Sequence, residues 1–272
     1  MALIRLDDFL RISEKLRQGY FSRALEAVLP FSNQTERAWK HVSHPPKHWG
    51  SIPRIREHWN ECISGSRPVS SKEYVASSYP EFRNTKALSI GCGTGTNEIA
   101  WARTGLFREI DAFDLSDTIS QIAGVLKPGG HLILRDFVGP SRFQWSETQM
   151  KLTEEFLGGI PPSRRRRWHS NTLKTRFYRP GVLAMLLSDP SEAAHSSEIL
   201  TTLSHRFDTK ELKPVGGTIC QLVFDDIAHH FLNDDPETLR IVESCIDREM
   251  ALIADGVIPS DFVFGVFQLR SE

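Results

Sequence analysis

The segment that most constrains this chain is 87–95, where Ala87, Leu88, Ser89 and Ile90 open directly into Gly91-Cys92-Gly93-Thr94-Gly95. An apolar run ending in a glycine turn, followed by a helix-compatible stretch over 97–104, reads as strand, tight loop and helix. Alternate glycines let the backbone approach a ligand that side chains would hold off. The helix behind the loop offers unbonded N–H groups. A dinucleotide fingerprint needs G-x-G-x-x-G, with the third glycine serving helix packing and a pyrophosphate lying on the helix end. Here the spacing is G-x-G-x-G, and Thr96 stands where the third fingerprint glycine belongs. A nicotinamide-type loop is the weaker reading, and a ligand without phosphate the stronger.

The pattern continues as a second strand over 109–115. It carries Asp114 about 20 residues past the loop, where a carboxylate accepts hydrogen bonds from both ribose hydroxyls of a nucleoside. Segment 117–126, apolar at Ile119, Ile122, Ala123, Val125 and Leu126, suits a helix that Lys127-Pro128-Gly129-Gly130 stops. Segment 131–138 reads as a buried strand. The order β-α-β-α-β predicts a parallel sheet with crossover helices. Beyond Gly139 the chain is mainly helical over 140–206, with a polar, basic passage at 161–179. A helix over 191–207, a strand over 208–215, helices over 219–231 and 236–255, and a strand over 261–269 complete it.

The first 79 residues read as a helical cap or extension. Apolar residues recur near helical spacing over 3–29. Trp39, Trp49 and Trp59 with His41, His44, His48 and His58 fall in short helices broken by Pro45-Pro46 and Pro53, and 71–78 forms another helix. The main domain spans 80–272.

Composition removes several classes. A net charge of −1, with 40% hydrophobic and 25% charged residues, supplies no field for a polyanion or a membrane surface. The expected partner is a small molecule, with no nucleic acid, no membrane, and a monomeric or homodimeric chain. Cys62, Cys92, Cys220 and Cys245 form no C-x-x-C pair, which argues against a zinc ribbon or a disulfide framework and for a reducing, cytoplasmic setting. No apolar run reaches membrane-spanning length, and the acidic Asp7 and Asp8 do not suit a signal peptide.

Three stretches, LSIGCGTGTNE at 88–98, DAFDLS at 111–116 and VLKPGGHLIL at 125–134, resemble the first, second and fifth strand regions of class I S-adenosylmethionine (SAM) dependent methyltransferases. The order strand, helices, strand over 208–269 is similar to the antiparallel last strands of that fold. The resemblance covers about residues 80–272. It implies a Rossmann-like α/β sheet with an antiparallel last strand and SAM as cofactor. The matching positions are Gly91, Cys92, Gly93, Thr94, Gly95, Asn97, Glu98, Asp114, Leu115 and Ser116, with the glycines lining the donor and Asp114 on its ribose. The implied activity is methyl transfer to a small organic molecule.

The family places two further β-α units between its second strand and the Lys-Pro-Gly-Gly turn, an insertion of roughly 45–60 residues. Only 117–126 stands there. The expected sheet is therefore reduced to about five strands, in the order second, first, 131–138, 261–269, 208–215. The absent units would supply part of the adenine pocket. Two alternatives accordingly stay open: a non-catalytic or degenerate SAM-fold protein, and an NAD-linked oxidoreductase.

Methyl transfer from a sulfonium is an in-line substitution that needs alignment and water exclusion, and a base only where the acceptor must lose a proton. No catalytic residue is assigned. Substrate-side candidates are Phe143 and Trp145, just past the 131–138 strand, together with Tyr178, His229, His230 and His195. Each also suits packing or a surface position. Asp225 with His229 and Asp226 with His230 are i, i+4 pairs that would share a helix face, but nothing nearby completes a metal site, and no metal is expected. The run Arg164-Arg165-Arg166-Arg167 suits an anionic substrate or a solvated loop.

Overall fold

The computed structural model describes residues 3–5, 48–90, 96–113, 126–168, 170–188 and 192–270. In chain order its helices are α1 (Pro53–Ser64), α2 (Ser71–Ser78), α3 (Thr96–Ala102), α4 (Glu147–Gly159), α5 (Val182–Ser188), α6 (Ile199–Arg206), α7 (Ile219–Phe224) and α8 (Pro236–Ala254). Its strands are β1 (Thr85–Ile90), β2 (Phe107–Phe113), β3 (His131–Phe137), β4 (Phe207–Gly216) and β5 (Phe262–Leu269). The chain divides into two compact units. One comprises Met1–Arg56, Leu134–Thr201 and Pro214–Phe264, and the other Glu57–Ile133, Thr202–Lys213 and Gly265–Glu272.

The protein is mixed α/β, with a parallel pair β1-β2 and an antiparallel sheet in the order β3-β5-β4. The end contacts fix the direction. Leu269 N–H donates to Gly130 O and Val138 N–H to Asp261 O along β3-β5, and Arg270 N–H donates to Arg206 O beside β4. The central strand β5 is apolar and buried along most of its length, as a strand covered on both faces must be. Its Gly265 is required sterically, since a Cβ there would run into the Phe267 ring.

Four expectations need correction. The five strands do not form one sheet, for no ladder joins β1 to β3 among the described residues. Strand β3 is only partly buried: among the described residues it lies at the edge of its sheet, with Arg135 and Asp136 exposed and Phe137 in the core. The helix over 191–207 shortens to α6, preceded by a 3-10 turn at Ser196–Glu198. The helix over 219–231 ends at Phe224. There the buried Lys174 ammonium donates to Leu222 O at 2.7 Å and Val223 O at 3.1 Å, taking carbonyls that a continuing helix would use. Asp226 then turns left-handed at φ 63°, and a 3-10 turn follows at Ala228–Phe231.

Local signals set the helix starts. Ser70 and Glu73 form a reciprocal capping box on α2, and Asp235 caps α8 by accepting Thr238 N–H at 2.9 Å, with Pro236 behind it. Helix α2 is held to β4 by Tyr74 and Tyr79, whose hydroxyls donate to Glu211 at 2.6 and 2.7 Å.

The buried stripe of α8 includes Ile241, Cys245, Glu249 and Leu252. Glu249 accepts N–H groups from Gly217 and Cys220, each at 2.9 Å, and from Ile219. Gly216 and Gly217, at φ 80° and 83°, bend the chain so that these groups face the carboxylate. Burial pushes the Glu249 carboxyl up, and the three N–H bonds oppose that shift. Replacing Glu249 with glutamine turns an N–H donor towards these donors and is expected to cost about 2–4 kcal/mol in urea unfolding. A loss below about 0.5 kcal/mol would show that the clamp does not hold this turn.

Candidate functional site

Two constellations carry the candidate residues, one in each unit. In the first, β1 and β2 pair in parallel with Ile90 opposite Phe113. The chain therefore leaves both strands at the same end of the ladder. Gly91, Cys92, Gly93, Thr94, Gly95, Asp114, Leu115 and Ser116 lie outside the described residues. Asn97 and Glu98 start α3. Asn97 Oδ1 accepts Lys72 Nζ at 3.2 Å, and Glu98 Oε1 accepts the Ser89 hydroxyl. Glu98 Oε2 is buried without a hydrogen-bond partner among the described residues. It is an acceptor in the first turn of α3.

The second constellation follows β3. Arg142 and Phe143 are consecutive non-glycine residues at φ 56° and 55°. Such left-handed residues cost on the order of 1–3 kcal/mol each and cluster where a side chain must be aimed. The Phe143 ring stacks on Trp145 at 5.1 Å with a 1° interplanar angle. Phe137 meets Phe143, Trp145 and Phe262 edge-on at 5.2, 6.3 and 5.3 Å, and Phe177 meets Trp145 at 5.3 Å. Both rings expected on the substrate side thus stand together just past the carboxyl end of β3.

Trp145 leads to a residue that the sequence did not single out. Its Nε1–H donates to Asp261 Oδ2 at 2.7 Å, and Asp261 is fully buried at the start of β5. Burial pushes the Asp261 carboxyl up to about 7; hydrogen bonds from Trp145 and Thr218 oppose the shift and the charge of Glu249 adds to it. The available sequence signal was an acid immediately before a long apolar strand, the place where a carboxyl is either exposed or unusual.

The other candidates group elsewhere. Tyr178 lies beneath Arg167 and Arg176 at 5.4 and 4.7 Å. His229 meets Trp168 at 5.2 Å and His230 at 3.9 Å, and His230 Nε2 contacts Arg166 O at 3.0 Å. His195 is exposed beside Glu198. The break after Phe224 means that the Asp225/His229 and Asp226/His230 pairs share no helix face. Among the described residues no three His, Cys, Asp or Glu side chains converge to hold a metal ion.

The arginine run is not a solvated block. Arg164 bonds Asp235 at 3.1 Å, Glu237 at 2.9 Å and Thr238 Oγ1 at 2.8 Å, while the buried Arg167 pairs with Asp226. The N–H of Thr238, its hydroxyl and the Arg164 guanidinium hold the Asp235 carboxyl down to about 2. The cysteines also depart from their spacing. Cys220 and Cys245 are free thiols 3.4 Å apart, both buried, and burial pushes both up.

No family model matches this chain, no curated protein matches it, and no solved structure matches it.

Asp261 makes stability depend on pH. Its folded pKa lies above the unfolded value of 3.8, so its contribution is complete below about pH 4 and is lost as pH rises through about 7. The loss is on the order of 4 kcal/mol at most. Asp261→Asn, which keeps an oxygen for the Trp145 indole, is expected to flatten this decline in thermal melts between pH 4 and 8. A variant with the same slope as the parent would show that Asp261 does not titrate in this range.

Proposed function

We propose that the chain is a SAM-dependent methyltransferase acting on a small organic molecule. The observation that carries this reading is the β1-α3-β2 unit. In this parallel ladder Ile90 stands opposite Phe113, so the sequence segments that follow the two strands, one with the glycines and one with Asp114, start from the same edge, which suits a nucleoside-binding turn and its ribose acceptor. Glu98 Oε2, a buried acceptor without a partner among the described residues, suits the α-ammonium of the methionine part. The group SAM supplies when bound is an electrophilic methyl on a sulfonium. Gly91, Gly93 and Gly95 would hold its methionine end, and Asp114 its ribose. What the chain must add is alignment and exclusion of water. The absence of any broad positive charge in the composition favours a small acceptor over a nucleic acid, and the proposed setting is cytoplasmic.

A specific observation favours a second reading, a SAM-fold protein without activity. Leu88 on β1 and Ile99 on α3 are 41% and 55% exposed. Parallel strands ordinarily have both faces covered, and the two β-α units that the family pattern carries after its second strand have no counterpart in the sequence.

Calorimetric titration separates these readings. Micromolar SAM affinity, abolished by Gly93→Arg, is expected of the enzyme, together with methyl incorporation into a small-molecule acceptor. Affinity without turnover favours the inactive relative. No SAM binding rejects both, and NADH binding in its place restores an NAD-linked oxidoreductase.

A further inference from the structure

Two cysteines that lie far apart in the sequence meet inside one unit. Cys220 on α7 and Cys245 on α8 are 25 positions apart along the chain, yet their sulfurs stand 3.4 Å apart. Cys220 is 2% exposed and Cys245 is fully buried. A disulfide holds its sulfurs at about 2.05 Å, so closing this pair takes an approach of about 1.4 Å. A single buried cysteine packs as a small apolar side chain. Two sulfurs in contact can also bond. Their backbones are held in place by Glu249, one turn after Cys245 on α8, which accepts the N–H groups of Gly217, Ile219 and Cys220 itself. The carboxylate that fixes α7 on α8 therefore also fixes where Cys220 sits. Reactants held together behave as if highly concentrated, and a bond that forms best when α7 and α8 are docked stabilises the docked state in return.

We propose that Cys220 and Cys245 are a redox modification site, a dithiol that closes to a disulfide fastening α7 to α8, with a low-molecular-weight disulfide such as oxidised glutathione as the oxidant. The Cys220 S–H donates to Cys245 Sγ, which favours Cys245 as the attacking thiolate. Cys245 attacks one sulfur of oxidised glutathione, whose S–S bond breaks and releases one glutathione. The Cys220 thiolate then attacks the Cys245 sulfur of the mixed disulfide, forming the Cys220–Cys245 bond and releasing the second glutathione. The two thiol protons end on the two glutathiones; the cysteine pair loses two electrons and the oxidant gains them. Both sulfurs are enclosed, so exchange runs through opening of α7, whose six residues have little stability of their own, while the docked pair sets the equilibrium. The site is independent of methyl transfer.

Refolding the full chain from urea in equal amounts of reduced and oxidised glutathione, trapping free thiols with iodoacetamide and mapping peptides by mass spectrometry tests the site. The peptides containing Cys220 and Cys245 are expected to be linked in most molecules, and the urea midpoint to lie about 0.5–1 M above that of the reduced chain. Dithiothreitol is expected to reverse both. Cys220→Ala and Cys245→Ala, made separately, should lose the linkage and the glutathione-dependent rise, whereas Cys62→Ala keeps them. Two free thiols in the refolded chain, linkage spread at random among the four cysteines, or a linked chain with no rise in urea midpoint overturns the proposal.

Discussion

The enclosed Glu249 carboxylate, accepting three backbone N–H groups at the start of α7, is the interaction on which much of its unit depends. A six-residue helix has little stability of its own, because most of its backbone groups are end groups. Glu249 satisfies the donors at one end and Lys174 the carbonyls at the other. The same turn then fixes its neighbours. Gly216 N–H donates to Ser260 Oγ at 2.9 Å, and Thr218 bonds Pro259 O and the Asp261 N–H. Asp261 is thereby delivered to Trp145.

The cationic residues of 164–179 work as internal fasteners. Arg164 ties its loop to the start of α8, Arg167 anchors Asp226 just after the break in the 219–231 segment, and Arg179 bonds both Trp145 O and Glu147. Long side chains with several donors suit this task, since each reaches more than one acceptor while its stem packs among apolar neighbours. A consecutive run of four arginines reads as a charged surface. Only when carboxylates from residues 226, 235 and 237 come to meet it does it become structural.

Much of the secondary structure was legible because its signals are local. The break before residue 71 placed α2, apolar runs located β1 and β5 while β2 lies two residues earlier than its run suggested, and the pattern over 236–255 gave α8 its length within a residue. The missed features depend on distant partners. Nothing within 219–231 announces that Lys174 will end the helix at Phe224. The spacing of Cys220 and Cys245 gives no sign that α7 and α8 bring their sulfurs to 3.4 Å. Asp261 is one acid among many in the sequence, and only enclosure by Trp145, Thr218 and Glu249 sets it apart.

The sequence by itself determined the glycine segment between a strand and a helix, the second strand ending beside Asp114, and the aromatic pair after β3. These follow from backbone freedom at glycine and from residue periodicity, both of which are local. The tertiary structure alone decided that the strands divide into β1-β2 and β3-β5-β4, that the arginine run closes on carboxylates, and that Asp261 is enclosed beside Trp145, Thr218 and Glu249. The physical reason is that hydrogen-bond satisfaction and desolvation are properties of an enclosed volume, filled by residues that lie far apart along the chain.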